Sequence, residues 1–242
     1  NSAFDGNSPS INSADGAAIA TDKLPLAAGN TASVKNYTSY SKGINGLMID
    51  VQDLPTAPPL SDFVFRAGNT ANVSTWAAAP AVLSYSVLPG AGVNGSNRIE
   101  FTWPDGAIRN EWLQVTVASD TATGLHTAEV FYFGNLVGSA TGSTQSQSFV
   151  VTSLDVTSAR SDPHTFLSPA PVTDSNDFNR DGRVDALDQL IARASTGATL
   201  LDLTAPPTPL TLSGSQATLA PQAPQPDSIL RRRRAVGAAP LG

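Results

Sequence analysis

The segments Arg98-Ile-Glu-Phe-Thr-Trp103 and Trp112-Leu-Gln-Val-Thr-Val117 decide the fold class of this chain. In both, large apolar residues recur at every second position, so that they share one face of an extended chain. This period of two is typical of a β-strand with one buried face. The turn sequence Pro104-Asp105-Gly106 lies between the segments and predicts that they pair as a hairpin.

Six more segments have the composition of short strands, and clusters of Gly, Pro, Asn and Asp separate them. Strands at this spacing predict a mainly β fold, an antiparallel β-sandwich of jelly-roll-like type over residues 1–160. Val130–Phe133 is apolar on both faces and predicts a central, covered strand. The six segments are Thr31–Tyr37, Gly46–Val51, Asp62–Arg66, Ala81–Leu88, Ala128–Phe133 and Ser148–Val156.

The composition excludes several classes of protein. The chain has 242 residues, is 40% hydrophobic and 14% charged, and contains no cysteine, so disulfides and thiolate metal sites are excluded. Its net charge of -6 repels nucleic acid phosphates, and we expect no nucleic-acid partner. No apolar run approaches the roughly 18 residues that a membrane-spanning helix needs, so we expect no membrane span.

After the sandwich segment the composition changes. Residues 161–173 contain three prolines and are predicted to be an extended linker. Residues 174–200 form an acidic loop followed by a short helix, and residues 201–242 form a Pro/Ala-rich tail that we expect to be flexible. The tail includes Arg231–Arg234, which is consistent with a solvated basic stretch, a protease-processing site or an electrostatic tether.

Residues 177–188, Asp-Phe-Asn-Arg-Asp-Gly-Arg-Val-Asp-Ala-Leu-Asp, fit a twelve-residue calcium loop. Calcium takes about six to eight oxygen ligands, and side chains at alternating positions of such a loop converge on one point. Gly182 at the sixth position permits the sharp turn that a Cβ atom would obstruct. The predicted ligands are Asp177, Asn179, Asp181, the carbonyl oxygen of Arg183, Asp185 directly or through a water, and Asp188.

A short helix, Ala186–Ala194, is predicted to follow the loop, with an apolar stripe at helical spacing. The stripe consists of Leu187, Leu190 and Ile191. A helix of about nine residues is marginal alone, so something must cover this stripe. We expect cover from the same chain, and Val184, at the eighth loop position, is expected to lack an intrachain pairing partner. The expected covering residues are Leu200, Leu201 and Leu203, with Phe166 and Leu167.

The segment Asp177–Thr196 resembles one repeat of a type I dockerin, a calcium-dependent module that joins extracellular bacterial proteins to cohesin-bearing partners. The resemblance rests on the loop and on the exit-helix pattern Asp188-x-Leu190-Ile191-x-Arg193. It implies a loop and exit helix without an entering helix, Ca²⁺ as the bound ion, and a secreted bacterial protein at the cell surface or outside the cell. A dockerin normally has two such repeats, and residues 198–242 contain no second one.

Two weaker patterns suggest further sites. Asp5, Asn7 and Asp15 form an acidic cluster that either holds a second calcium or belongs to ordinary turns. Trp112 lies on the face of its strand opposite the apolar residues Leu113, Val115 and Val117, so we expect it on an outer face beside Gln114. There it could bind carbohydrate together with Gln114 and with Arg98 of the neighbouring strand. Packing of Trp112 against a second layer is the alternative.

The chain is predicted to be a non-catalytic, extracellular calcium-binding module for assembly or attachment. The alternatives are a carbohydrate-binding module of a polysaccharide-degrading system, and a self-assembling subunit of a surface layer or filament. No catalytic motif supports an enzyme. The two histidines, His126 and His164, have no zinc-binding partner nearby in the sequence.

Overall fold

The structure is a computed structural model that describes residues 2–207 and the backbone of residues 235–240. Its described part is mainly β, with sheets that are largely antiparallel and two α-helices, α1 (Ser153–Ser161) and α2 (Ala186–Ala194). The strands are β1 (Leu26–Ala27), β2 (Tyr37–Thr38), β3 (Gly46–Val51), β4 (Phe63–Gly68), β5 (Ala77–Ala78), β6 (Ser84–Leu88), β7 (Asn97–Thr102), β8 (Trp112–Val117), β9 (Glu129–Asn135), β10 (Thr144–Gln145), β11 (Ser148–Val150), β12 (Thr199–Leu201) and β13 (Ala235–Pro240).

The strands form three sheets. Sheet I has the order β1-β9-β8-β4-β5, and β2 also pairs with β9, in parallel. Sheet II has the order β13-β3-β7-β6, and sheet III has the order β10-β11-β12. The mainly β fold class and its antiparallel pairing are therefore confirmed.

The predicted hairpin between the two deciding segments is wrong. β7 pairs with β3 and β6 in sheet II, whereas β8 pairs with β4 and β9 in sheet I. Both strands direct their apolar residues into one common cluster, which includes Phe101 of β7 and Val115 of β8. The two strands share a core and not a hydrogen-bonded ladder, because the chain between Trp103 and Glu111 passes from one sheet to the other.

Sheets I and II enclose the largest hydrophobic cluster of the described residues. Aromatic rings dominate it: the ring of Phe101 lies 4.9 Å from that of Phe63 and 5.0 Å from that of Phe65, both in edge-to-face geometry. Such pairs add to the free energy gained from burial. The buried members are Ile44, Leu47, Ile49, Phe63, Ile99, Phe101, Trp103, Ile108, Leu113, Val115, Val117, Phe131 and Phe133.

A second cluster covers the opposite face of sheet I. Trp112 and Tyr132 lie on this face and are buried by Phe149, Leu200 and Leu203. Strand β9 therefore has both faces buried, as its two-sided apolar sequence predicts. Because residues from the end of the described chain pack here, the start of the predicted tail at position 201 belongs to the folded part.

Two strand predictions fail locally. Most of Thr31–Tyr37 is a loop with a 3-10 turn at Val34–Asn36, and only its last residue enters β2. The predicted strand Ser148–Val156 ends at Val150, where α1 soon follows. Thr152 caps that helix by accepting a hydrogen bond from the backbone N–H of Leu154 (3.2 Å), while Asp155 accepts one from the Thr152 N–H (2.7 Å). This capping box outweighs the strand propensity of the segment.

Part of the predicted tail has regular structure. Its residues 235–240 form β13, which pairs antiparallel with β3 at the edge of sheet II. Residues 208–234, with the basic stretch Arg231–Arg234, and residues 241–242 lie outside the described residues. Neither helix in the described part has the length and apolar character that a membrane-crossing helix requires.

Candidate metal centre

The calcium-loop sequence 177–188 forms a tight loop that leads directly into α2. Arg180 (φ 53°) and Gly182 (φ 80°) adopt left-handed backbone conformations and reverse the chain. The backbone of the loop also bonds to distant residues, since the Ser41 N–H donates to the Phe178 carbonyl (2.7 Å) and the Ala3 N–H to the Arg180 carbonyl (3.1 Å). The loop is thus packed against the β region.

Val184 has an intrachain pairing partner, contrary to the sequence prediction. Its backbone forms an antiparallel bridge with His164, with two N–H···O hydrogen bonds of 3.2 Å. The Ala170 N–H donates to the Gly182 carbonyl (2.8 Å) on the same side. Residues 163–170, which the prolines suggested to be an extended linker, therefore supply a strand-like neighbour to the loop.

Asp177, the first predicted ligand, is fully buried. One carboxylate oxygen accepts a hydrogen bond from the Gly182 N–H (2.9 Å) and the other accepts one from the Asp181 N–H (3.2 Å). Burial is the largest influence on this group and raises the pKa of Asp177 to about 7; the nearby Arg180 charge opposes this shift, and the Asp188 carboxylate adds to it. The carboxylate thus lies in a low-dielectric position where a cation would stabilise its charged form.

Asp188, the twelfth loop residue, is also fully buried and closes the loop. One carboxylate oxygen accepts a hydrogen bond from the Phe178 N–H (2.8 Å), and the other accepts one from the Asp185 N–H (3.0 Å). Asp185 in turn caps α2 through the Leu187 N–H (2.7 Å). Burial raises the pKa of Asp188, and the Asp181 carboxylate contributes to the increase. The two ends of the loop are therefore joined at two buried carboxylates.

The remaining predicted ligands lie on the open side of the loop. The Asn179 side-chain N–H donates to one oxygen of Asp181 (3.0 Å), and the Arg183 backbone N–H donates to the other (2.9 Å). Asp181, Arg183 and Asp185 are exposed. The loop thus has two buried carboxylates on its inner side and oxygen donors open to solvent on the other. These donors are all oxygen atoms, which calcium prefers, but over residues 2–207 no three of the loop carboxylates lie close enough together to form a metal-binding group.

Arg180 is a positively charged residue of the loop that was not among the predicted site residues. Its side chain is almost fully buried. Its guanidinium donates to the backbone carbonyl oxygens of Asp174 and Asp177. Burial lowers the pKa of Arg180, and the Asp177, Asp22 and Asp174 carboxylates oppose that change. Its position is a variable one in the loop pattern, so no sequence signal identifies it.

The expected cover of the helix stripe is wrong. Leu187 and Leu190 are 48% and 57% exposed, because α2 turns Ala192 inward against α1 and Asp188 towards the calcium loop. Ile191 is half-buried beside Ala192. The residues expected to cover the stripe lie elsewhere. Leu200 and Leu203 pack in the cluster around Trp112, and Leu201 packs against the same cluster. Phe166 and Leu167 are exposed.

The N-terminal acidic residues hold local turns. Asp5 accepts hydrogen bonds from the N–H groups of Ser2 (2.8 Å) and Asn7 (2.9 Å), and Asp15 accepts one from the Asn12 N–H (2.6 Å). Over residues 2–207, neither carboxylate belongs to a group of three His, Asp or Glu side chains close enough to share a metal. A second calcium at Asp5, Asn7 and Asp15 stays a prediction.

The structure separates the three residues that were grouped as a carbohydrate site. Trp112 is not on an exposed face; it is fully buried, and its indole N–H donates to the Leu201 carbonyl (3.0 Å). Gln114 donates to the Tyr132 hydroxyl (2.8 Å) in sheet I. Arg98 belongs to sheet II, where it forms a bidentate pair with Asp50 at 2.8 and 2.9 Å. Trp112 is buried because the chain after α2 returns over sheet I.

Comparisons of the chain with protein-family models, with curated proteins and with solved structures find no match.

Proposed function

We propose that this protein is a non-catalytic calcium-binding module in which one Ca²⁺ binds to the loop at residues 177–188. Sheets I and II are, in this proposal, the two layers of a β-sandwich, because the residues of the largest core cluster come from both of them. The loop and α2 are a dockerin-like unit attached to that sandwich.

The observation that carries the proposal is the burial of Asp177 and Asp188 at the two ends of one loop. An ionised carboxylate loses its hydration on burial, and two neighbouring carboxylates also repel each other. The Arg180 guanidinium donates to backbone carbonyl oxygens, so it does not neutralise either carboxylate by a direct hydrogen bond. A divalent cation with oxygen ligands would compensate both charges at once.

Titration calorimetry of calcium into the metal-free chain tests the proposal. We expect one Ca²⁺ per chain, and we expect Asp177→Asn and Asp188→Asn to abolish the strong binding heat. Asp53→Asn is the matched control, because Asp53 is an exposed aspartate with a left-handed backbone that asparagine also adopts. Absence of a calcium heat from the parent chain at millimolar concentration would refute the site.

We further propose that the calcium-loaded loop serves assembly or attachment outside the bacterial cell. The support is the dockerin-like pattern, together with the exposure of Leu187 and Leu190 on the helix that the loop begins. The proposed partner is a cohesin-like or other extracellular protein. The alternatives are self-assembly and binding to a polysaccharide.

Calcium-dependent binding to a purified cohesin domain, lost in Leu187→Ser/Leu190→Ser, is the result that we expect. The matched control is Leu83→Ser, which changes an equally exposed leucine outside the loop and helix. Calcium-dependent self-association in light scattering without cohesin binding would favour the assembly alternative. Retarded migration in gels that contain soluble polysaccharide would favour the carbohydrate alternative.

A further inference from the structure

Three side chains with metal-binding atoms lie close together beside the calcium loop, and none of them is a predicted calcium ligand. They are Asp162 at the end of α1, His164, and Asp174. One ligand atom from each lies within 4.8 Å of the other two. His164 Nε2 is 3.6 Å from Asp162 Oδ1 and 3.5 Å from Asp174 Oδ2. Asp162 and His164 are only two residues apart, and Asp174 follows ten residues later.

The imidazole of His164 is oriented as in a metal site. Its Nδ1 atom lies 3.1 Å from the Ser168 carbonyl oxygen, which can only accept a hydrogen bond, so Nδ1 carries the proton. Nε2 is then the ring nitrogen that faces the two carboxylate oxygens and is placed to act as a metal ligand. Metal-binding histidines commonly donate their second ring N–H to a backbone carbonyl, which fixes this tautomer.

Asn176 orders the two carboxylates. Its side-chain N–H donates a hydrogen bond to Asp162 Oδ2 (2.9 Å), and its backbone N–H donates one to Asp174 Oδ1 (2.8 Å). Each carboxylate therefore uses one oxygen for Asn176 and keeps the other close to His164 Nε2. Asn176 is only 6% exposed, and its Oδ1 atom has no hydrogen-bond partner among the described residues. A buried oxygen without a partner, on the residue that holds both carboxylates, is a second observation that points to a ligand here.

The distances favour a shared cation over direct ion pairs. Charge-assisted N–H···O bonds are about 2.7–2.9 Å long, clearly shorter than the 3.5 and 3.6 Å separations here. Zinc binds histidine nitrogen and carboxylate oxygen at about 2.0–2.2 Å, which places neighbouring ligands of a tetrahedral site about 3.4 Å apart. The cluster differs from the calcium loop in that it contains an imidazole nitrogen, which suits zinc-like ions better than calcium.

We propose that Asp162, His164 and Asp174 bind a transition-metal dication of the zinc type, with water completing the coordination. The side chains are 49%, 25% and 7% exposed, so the site is open to solvent on one side. The metal would hold the two ends of residues 162–174 together, and the backbone pairing of His164 with Val184 joins this segment to the side of the loop. The proposal rests only on this cluster and not on calcium binding.

Zinc titration of the full chain in the presence of millimolar calcium tests this site directly. We expect one zinc per chain, and at least tenfold weaker zinc binding in His164→Gln and in Asp174→Asn. His126→Gln is the matched control, because the second histidine is exposed in a loop and belongs to no such cluster in residues 2–207. Calcium binding should be unchanged in all three variants, so failure of the zinc site and failure of the calcium site are distinguishable.

A measurement on the parent chain keeps the proposal testable even if a variant folds poorly. The chain has only two histidines, so their ring nitrogen signals in NMR spectra separate the sites. Zinc should shift the Nε2 signal of His164 and leave that of His126 unchanged. Three outcomes would overturn the proposal: no zinc binding, equal shifts of both rings, or zinc affinity in His164→Gln that equals that of the parent chain.

Discussion

The two-sheet region and the loop-helix region are held together by different forces. Thirteen buried, mostly large apolar side chains form the cluster between sheets I and II. The cluster around α1 and α2 has five buried apolar members, and three of them are alanines. The second region buries four charged side chains, namely Asp155, Asp177, Arg180 and Asp188, whereas the strands of sheet II bury two, Asp50 and Glu100.

This difference separates a region that folds on its own apolar burial from one that depends on the balance of buried charge. Burial of a large apolar side chain contributes on the order of 1.5–3 kcal/mol without any ligand. Buried carboxylates are costly unless hydrogen bonds or cations compensate them. The stability of the loop-helix region should therefore respond to metal and that of the two-sheet region should not. The following predictions test this contrast.

The largest effect is expected from Phe101→Ala in the two-sheet core. Phe101 is fully buried and contacts aromatic rings on both sides, so truncation should reduce the free energy of unfolding by about 3–5 kcal/mol. Val64→Ala, on the exposed face of β4, should cost less than about 1 kcal/mol. Urea unfolding followed by tryptophan fluorescence measures both. A loss below 1 kcal/mol for Phe101→Ala would contradict the assignment of the main core.

Calcium removal is expected to have the next largest effect, confined to the loop-helix region. At a hundredfold excess over its dissociation constant, a ligand stabilises the bound state by about 2.7 kcal/mol. Chelation should therefore speed amide hydrogen exchange in α2 by roughly 100-fold and leave β8 nearly unchanged. Equal loss of protection in β8 would show that calcium is required for the whole β fold, and the contrast between the regions would fail.

Glu100→Gln should stabilise the two-sheet region at alkaline pH. Glu100 is buried on β7 beside the Asp15 carboxyl, and neither of its oxygens accepts a hydrogen bond from an N–H or hydroxyl group of the described residues. Burial raises the pKa of Glu100 to about 8, the Asp15 carboxyl adds to the increase, and Arg98 opposes it. Since the folded pKa lies above the unfolded value, the protonated group is most favourable at low pH, and this contribution is lost as pH rises towards 8.

The variant should therefore gain about 1–3 kcal/mol over the parent chain near pH 9 and little near pH 5. Denaturant unfolding at the two pH values measures the difference. Glu129→Gln, which changes an exposed glutamate of β9, is the control and should show no gain at either pH. An equal effect of Glu100→Gln at both pH values would show that its carboxyl does not titrate between them.

The smallest effect is expected from Leu190→Ser on α2. Leu190 is exposed, so the change should alter the free energy of unfolding by less than about 0.5 kcal/mol and leave calcium affinity unchanged. Ile191→Ser, one residue further on, removes a half-buried side chain and should lower both the free energy of unfolding and the calcium affinity. Calorimetry and urea unfolding of the pair measure the contrast. A large effect of Leu190→Ser would restore the original expectation that its stripe is covered within the chain.

Local sequence patterns predicted two elements with the correct bounds. The helix Ala186–Ala194 and the strand Gly46–Val51 have the predicted bounds, because a capping aspartate and an apolar run act within a few residues. The helix α1 was not predicted, because the predicted strand Ser148–Val156 was continued past its true end. The Thr152–Asp155 capping box is a local signal for this helix. Asp188, at the end of the calcium loop, accepts a hydrogen bond from the Phe178 N–H near the start of the loop.

What the sequence by itself determined is which faces are apolar and which loops turn sharply, because side-chain periodicity and left-handed glycines are local properties. What only the tertiary structure decided is which of these faces meet. β7 and β8 face each other from different sheets, and Trp112 is buried by Leu200, nearly ninety residues later. The exposure of Leu187 and Leu190 on α2 has the same origin. Such contacts depend on which distant surfaces exclude water most completely, and that choice belongs to the whole chain.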